Sequence, residues 1–347
     1  MSALKPYKSH YYSFNQQGEC DLPSAREVKA LVNDQINPII FLDSNVCLNV
    51  IKVVDFGKNA ENCNKEKVLH LKKYISKTGI EVNPILGIIE LCLKNGELDY
   101  QKMTDFMSRI SFFNKIPDKY FNRQNFDFHK NFFVAENDHF SANSNIWLQI
   151  EPMILNTYCS LLKIRQLSLN GLAMNNARKN IEIFAQWMIE SLGLWVGIEF
   201  NLALKIFGGL TNFRKMIWLD GKARQIRKKL WGSAWDIMHA RVCTNNYTMS
   251  LYFEEKTEAF FLTNDRSLFT LLSDFNLMGI VNSGGQKSIT SIYNVNFDYP
   301  HLDDEFLDDH LKRLFDEMYK SIKREYRFDR DFVIQEIKKL EELNGIK

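Results

Sequence analysis

The chain has little glycine and proline, 16 and 7 in 347 residues, well under the usual combined share of about 12%. That scarcity excludes collagen-like and low-complexity classes and favours a helix-rich protein. The six cysteines (Cys20, Cys47, Cys63, Cys92, Cys159, Cys243) lie far apart and form no CxxC pair. A zinc knuckle and a disulfide scaffold are both disfavoured, so free thiols in a reducing cytoplasm are expected. The opening "MSALKPYKSHYYSFNQQGEC" lacks the apolar core of a secretion signal. The most hydrophobic stretch, "IFAQWMIESLGLWVGIEFNLAL", is interrupted by Glu190 and Glu199. It reads as a buried or amphipathic helix, and no membrane association is expected. The net charge of +2 is too small to mark a nucleic-acid binder, so any such reading must rest on local clusters. There is no internal repeat.

What is present is ordinary in bulk, with 45% hydrophobic and 25% charged residues, and rich in phenylalanine at 26 copies. The length allows one large domain or two modest ones. Near the start, "NPIIFL" reads as a buried strand followed by the helix "VCLNVIKVV". A charged amphipathic helix then ends near Gly79, followed by a strand "IEV" and a helix opening at Pro84. Towards the other end, "GSAWDIMHARVCTNN" reads as a helix, and "EAFFLTNDRSLFTLLSDFNLMGIVNSGG" as strand, turn, helix, strand. Alternating strands and helices predict a parallel sheet. Residues from about 97 to 230 carry mainly helical patterns, and the tail after 301 reads as two charged helices.

Four carboxylates stand out against this frame. Asp43 closes the apolar run "IIFL" together with Ser44 and Asn45, just outside the carboxyl end of a strand, where ligands bind in open parallel sheets. Its alternative role is to cap the helix that follows. "FFLTND" repeats the logic with Asp265. Glu90 sits in the apolar "GIIELCL", and Asp236 in "SAWDIMHARV". A carboxylate on a mostly apolar helix needs a partner, because burying it unpaired is costly. A hard divalent ion, Mg²⁺ or Mn²⁺, would satisfy all four at once. Such a site can activate water and hold the oxygens of a phosphodiester.

Asp43 with Ser44 and Asn45, Glu90 in "VNPILGIIEL", Asp236 in "AWDIMHARV" and Asp265 in "LTNDRSL" resemble, in order and context, the four acidic motifs of PIN-domain nucleases. Thr263 matches the small hydroxyl residue two positions before the last acid. The resemblance implies a three-layer α/β/α fold around a central, mostly parallel sheet. It also implies a Mg²⁺- or Mn²⁺-dependent endonuclease acting on RNA more than DNA, with Asp43, Glu90, Asp236 and Asp265 as metal-binding catalytic carboxylates. Ser44, Asn45, Thr263 and His239 would be auxiliary. A toxic or defensive role with an inhibitory or regulatory protein partner fits the habits of the family. The match covers residues 36–96 and 231–300 as two parts of a core, separated by a helical insertion over 97–230 and followed by C-terminal helices over 301–347. Two rival readings are a catalytically silent nucleic-acid-binding or scaffold protein of the same fold, and a phosphatase-type hydrolase with Asp43 as nucleophile. The second usually wants an Asp two residues on, where this chain has Asn45.

Other features admit two readings each. Lys222, Arg224, Arg227, Lys228 and Lys229 lead straight into the Asp236 helix and could deliver a phosphate backbone to it; a charge run is otherwise a solvated face. Nine phenylalanines between 106 and 140 (Phe106, Phe112, Phe113, Phe121, Phe126, Phe128, Phe132, Phe133, Phe140) alternate with cations. They could stack bases, but packing is the commoner use of such rings. His239 and Cys243 have metal-ligand spacing, i and i+4, without further Cys or His in register for zinc. The acids Asp303, Asp304, Glu305, Asp308 and Asp309 read as the N-terminal charge of a helix.

Overall fold

The structure is a computed structural model that describes residues 12–15, 21–94, 96–117, 146–244, 256–273, 276–282, 289–294, 299–303, 305, 306, 312, 316 and 328–346. It is mostly helical with a small mixed sheet. The chain divides into two compact units. The first comprises 1–145 and 239–273, and the second 146–238 and 274–347.

The first unit is built around four strands in the order β1 (Tyr12–Asn15), β6 (Thr257–Thr263), β2 (Asn37–Leu42) and β3 (Glu81–Asn83). β6, β2 and β3 run parallel, and β1 is antiparallel to β6 at one edge. The apolar runs "IIFL" and "AFFL" therefore pair as buried neighbours, Ile40 facing Phe260 and Leu42 facing Leu262 in register. Helix α1 (Ala25–Asn33) begins in a capping box made by Ser24 and Glu27. Helix α2 (Ser44–Phe56) follows β2 directly, and its apolar face, Val46, Val50 and Val54, is fully buried. Helix α3 (Lys65–Thr78) stops at Gly79, whose φ of 72° is the left-handed conformation that ends helices. Helix α4 (Ile85–Cys92) follows β3, and a two-residue hairpin, β4 (Leu93–Lys94) and β5 (Glu97–Leu98), leads to α5 (Tyr100–Lys115). The buried Arg109 of α5 donates to Asp55 of α2 at 2.7 Å, which ties this helix to the sheet's own helices.

The second unit contains α6 (Ile146–Leu169), α7 (Met174–Trp187), which runs on into a π turn over Met188–Leu192, and α8 (Gly197–Phe207). The long helix α9 (Ile226–Thr244) crosses from the second unit into the first between Met238 and His239. Helix α10 (Arg266–Ser273) follows β6 in the first unit. A separate antiparallel pair, β7 (Asn276–Asn282) with β8 (Ile289–Asn294), and the terminal helix α11 (Arg330–Leu343) belong to the second.

The sequence pattern "strand, turn, helix, strand" after residue 257 predicts that the last strand joins the parallel sheet. Instead β7 pairs with β8 as a hairpin. β7 and β8 are close in sequence, so they can pair locally as an antiparallel hairpin, which occupies β7. No described helix is long and apolar enough to cross a membrane. Of the phenylalanine cluster, Phe113 is fully buried beneath the ammonium of Lys72, which is packing. Phe106 lies under Lys102. Phe121, Phe126, Phe128, Phe132, Phe133 and Phe140 lie outside the described residues.

Candidate metal centre

The three parallel strands end on the same edge of the sheet, and each is followed there by a helix. At the end of β2, the Asp43 backbone N–H donates to the Leu262 carbonyl of β6 at 3.0 Å, so the pairing extends one residue beyond the strand. Asp43 occupies the N-cap position of α2, yet its side chain makes no capping hydrogen bond. The carboxylate turns inward instead and is completely buried. Its Oδ2 accepts from Thr263 Oγ1 at 2.9 Å, and its Oδ1 lies 3.4 Å from the donating Ser44 hydroxyl. The capping role fits Asp265 better: its Oδ1 accepts the backbone N–H groups of Ser267 at 2.6 Å and Leu268 at 3.0 Å, at the start of α10.

Glu90 reaches Asp43 because α4 lies against the start of α2. Gly87 makes that approach possible. A Cβ there would sit 2.7 Å from the Leu42 carbonyl oxygen and 2.9 Å from both the Ser44 nitrogen and Cys47 Sγ. Glycine in an apolar helix is unfavourable by itself, and the close approach is its compensation. One turn later, the Glu90 carboxylate faces the Asp43 carboxylate, and its Oε2 is buried with no hydrogen-bond donor among the described residues.

The third member is His239 of α9, wholly buried with its ring 5.7 Å from that of Phe261. Its Nδ1 lies 3.9 Å from Asp43 Oδ1 and its Nε2 3.7 Å from Glu90 Oε2. Asp43, Glu90 and His239 each offer one atom within 4.8 Å of the others, a set that can hold a metal ion.

The electrostatics follow from burial. Loss of hydration pushes the Asp43 carboxyl up; Thr263 and Ser44 oppose the shift, and the nearby charge of Asp265 adds to it. Burial, then the charge of Asp43, push Glu90 up to about 8. Burial drives His239 down to about 3, so the imidazole is neutral at physiological pH. Among the described residues, no lysine or arginine ion pair reaches either carboxylate. Burying an uncompensated carboxylate costs several kcal/mol. The fold sustains it because the neighbours Ile40, Phe41 and Leu42 are buried as well, each contributing about 1.5–3 kcal/mol.

The other anticipated residues are placed as follows. Thr263 is buried and links two carboxyl-bearing residues, since its hydroxyl oxygen also accepts the Asp265 backbone N–H at 3.0 Å. Asn45 is exposed and hydrogen-bonds Asp43. Asp236 is half-buried on α9, three residues before His239 and so on the same side of that helix. Cys243, one turn after His239, is buried and its thiol is pushed up by burial.

In the second unit, Lys222, Arg224, Lys228 and Lys229 are exposed. Arg227 is held by a two-pronged bond to Glu341, both contacts at 2.8 Å, and Tyr158 donates to the same carboxylate at 2.7 Å. Asp303 accepts the Phe306 backbone N–H at 2.9 Å and pairs with Arg178. Asp304, Asp308 and Asp309 lie outside the described residues.

Sequence reasoning gave His239 only an auxiliary place and passed over Gly87. The signals for both were present: a histidine among apolar residues one turn from an acid, and a lone glycine inside an apolar helix. No protein-family model, curated protein or solved structure matches this chain.

Proposed function

We propose that this chain is a metal-dependent endonuclease of PIN-like architecture, cleaving RNA in preference to DNA. The observation that carries this reading is the pairing of buried Asp43 with half-buried Glu90, without a lysine or arginine partner among the described residues, at the carboxyl edge of the parallel strands, where ligands bind in open α/β sheets. Like charges do not gather in an apolar setting without a compensating ion or proton. Glu90 Oε2 is buried and has no hydrogen-bond donor among the described residues, which leaves it open to a ligand.

In this reading Asp43 and Glu90 hold a divalent cation, Mg²⁺ or Mn²⁺. The bound ion would supply Lewis-acid activation of water and charge neutralisation at the scissile phosphate. Thr263 and Ser44 fix the Asp43 carboxylate by hydrogen bonds, so its position does not depend on the ion. Asp265 contributes negative charge near the site while its own oxygen caps α10. Asp236, on the same side of α9 as His239, is proposed as a further carboxylate for metal or water. Lys222, Arg224, Lys228 and Lys229 are proposed to bind phosphates. Control by an inhibitory protein, and action in a toxic or defensive setting in the cytoplasm, remain part of the proposal.

The test is to incubate purified full-length protein with labelled single-stranded RNA, transfer RNA and single-stranded DNA, with Mn²⁺, with Mg²⁺ or with chelator. Internal cleavage of RNA that chelator abolishes is the expected result. Absence of cleavage on all three substrates in both metals would remove the enzymatic reading.

A further inference from the structure

The carboxylates alone would suit Mg²⁺, but they are not alone. His239 is fully buried, packed against Phe261, and both of its nitrogens lie under 4 Å from a carboxylate oxygen. A neutral imidazole carries one N–H and one nitrogen lone pair, and here each ring nitrogen faces a carboxylate. The nitrogen without the proton therefore presents its lone pair to the carboxylate it faces, Asp43 at 3.9 Å or Glu90 at 3.7 Å. A proton does not bridge such a gap, because hydrogen bonds between these atoms need about 2.7–3.2 Å. A shared cation does. Ligand atoms about 2.1 Å from a common ion lie about 3.0–4.2 Å apart in tetrahedral or octahedral arrangements.

We infer that His239 is a direct nitrogen ligand, and that it makes the centre selective for a first-row transition ion, Mn²⁺ in particular, over Mg²⁺. The inference rests on the reading of Asp43 and Glu90 as metal ligands, and does not depend on which substrate is cut. Mg²⁺ favours all-oxygen shells and retains its waters. Imidazole favours transition ions, and Mn²⁺ combines that affinity with acceptance of carboxylates. The four-carboxylate set implied by the family resemblance would leave this preference unexplained.

The test is direct binding rather than activity. One equivalent of Mn²⁺ is added to full-length protein, and pulsed electron paramagnetic resonance is used to look for ¹⁴N modulation from a coordinated imidazole. The expected result is modulation that changes on ¹⁵N-histidine labelling and disappears in His239→Gln. Calorimetry should show Mn²⁺ bound at least about tenfold more tightly than Mg²⁺, with that gap closing in His239→Asp, which restores an oxygen ligand. Should the His239 variants fail to fold, loss of the ¹⁴N signal in Asp43→Asn carries the same information, because the signal must then come from this centre. Mn²⁺ bound at Asp43 and Glu90 without nitrogen modulation would overturn the inference and leave the carboxylate centre standing. Failure to bind Mn²⁺ at all would overturn both.

Discussion

Thr263 Oγ1 donates to Asp43 Oδ2 at 2.9 Å across 220 residues of sequence. The bond exists because β2 and β6 pair in parallel with Leu42 opposite Leu262, so Asp43, just after β2, lies beside Thr263, the last residue of β6. The same hydroxyl oxygen accepts the Asp265 N–H. Thr263 therefore joins the ends of two strands.

Replacing Thr263 by valine keeps the shape and removes both bonds. The change should destabilise the protein by about 1–3 kcal/mol, the usual effect of stranding buried polar groups. Thr263→Ser should recover most of the loss. Urea denaturation of the three proteins measures this, and a valine variant as stable as wild type would show that Asp43 is held by other means.

Gly87→Ala should be more damaging than one methyl group suggests. The added Cβ meets backbone at 2.7 Å and 2.9 Å, which cannot rotate away. Helix α4 must shift, taking Glu90 away from Asp43. Overpacking of this kind costs about 1–3 kcal/mol, and metal affinity should fall with it. Thermal melting and a Mn²⁺ titration would show both effects. Unaltered metal binding in the variant would mean that Glu90 is not a ligand.

The metal-free protein should lose stability as pH rises. Glu90 is raised to about 8 from 4.5, and Asp43 moves in the same direction, so the native state retains protons that the unfolded chain has released. That contribution is complete below about pH 4.5 and is lost as pH rises through about 8. His239, lowered to about 3 from 6.5, acts oppositely: its contribution is present above 6.5 and lost as pH falls towards 3. Above about pH 6.5 only the carboxylates act, and the melting temperature should decline up to about pH 8. Saturating Mn²⁺ should remove the decline, because the ion replaces the protons. A melting temperature that is flat over this range without metal would contradict the buried-carboxylate account.

The basic run divides by function. Lys222, Arg224 and Lys228 are exposed, so their replacement by alanine should lower the slope of log affinity against log salt by about one unit per lost phosphate contact. Arg227 is committed to Glu341 beside Tyr158. Because its side chain is 55% exposed, Arg227→Ala should cost only about 1 kcal/mol or less in stability and leave the salt slope unchanged. Filter binding across a salt series separates the two. A slope reduced by Arg227→Ala alone would show that the Glu341 pair opens for phosphate.

The strands β2 and β6, the helices after them and the four acids were legible because each is a local pattern, an apolar run ended by a polar cluster. The orientation of Asp43 was not. Asp at a strand end caps a helix or faces inward with the same local sequence, and here the choice is made by Thr263, far away in the chain. His239 was undervalued for a similar reason. Its spacing from Cys243 suggested a ligand pair along one helix, while its actual neighbours are Asp43 at the end of β2, Glu90 of α4 and Phe261 of β6. Strand β1, "YSFN", is a short edge strand with no apolar run, so it left little trace in the sequence. The hairpin of β7 and β8 was mistaken for sheet continuation because a strand pattern does not name its partner.

Asp43 tests the central claim most directly. Asp43→Asn removes a buried carboxyl that must otherwise hold a proton or carry an uncompensated charge, so the metal-free protein should be as stable as wild type or more so. Cleavage of labelled single-stranded RNA by the two proteins should be compared side by side in Mn²⁺, with melting curves taken on the same samples. The account predicts a folded variant with no detectable cleavage beside an active wild type. A folded Asp43→Asn protein that cuts at the wild-type rate would contradict it.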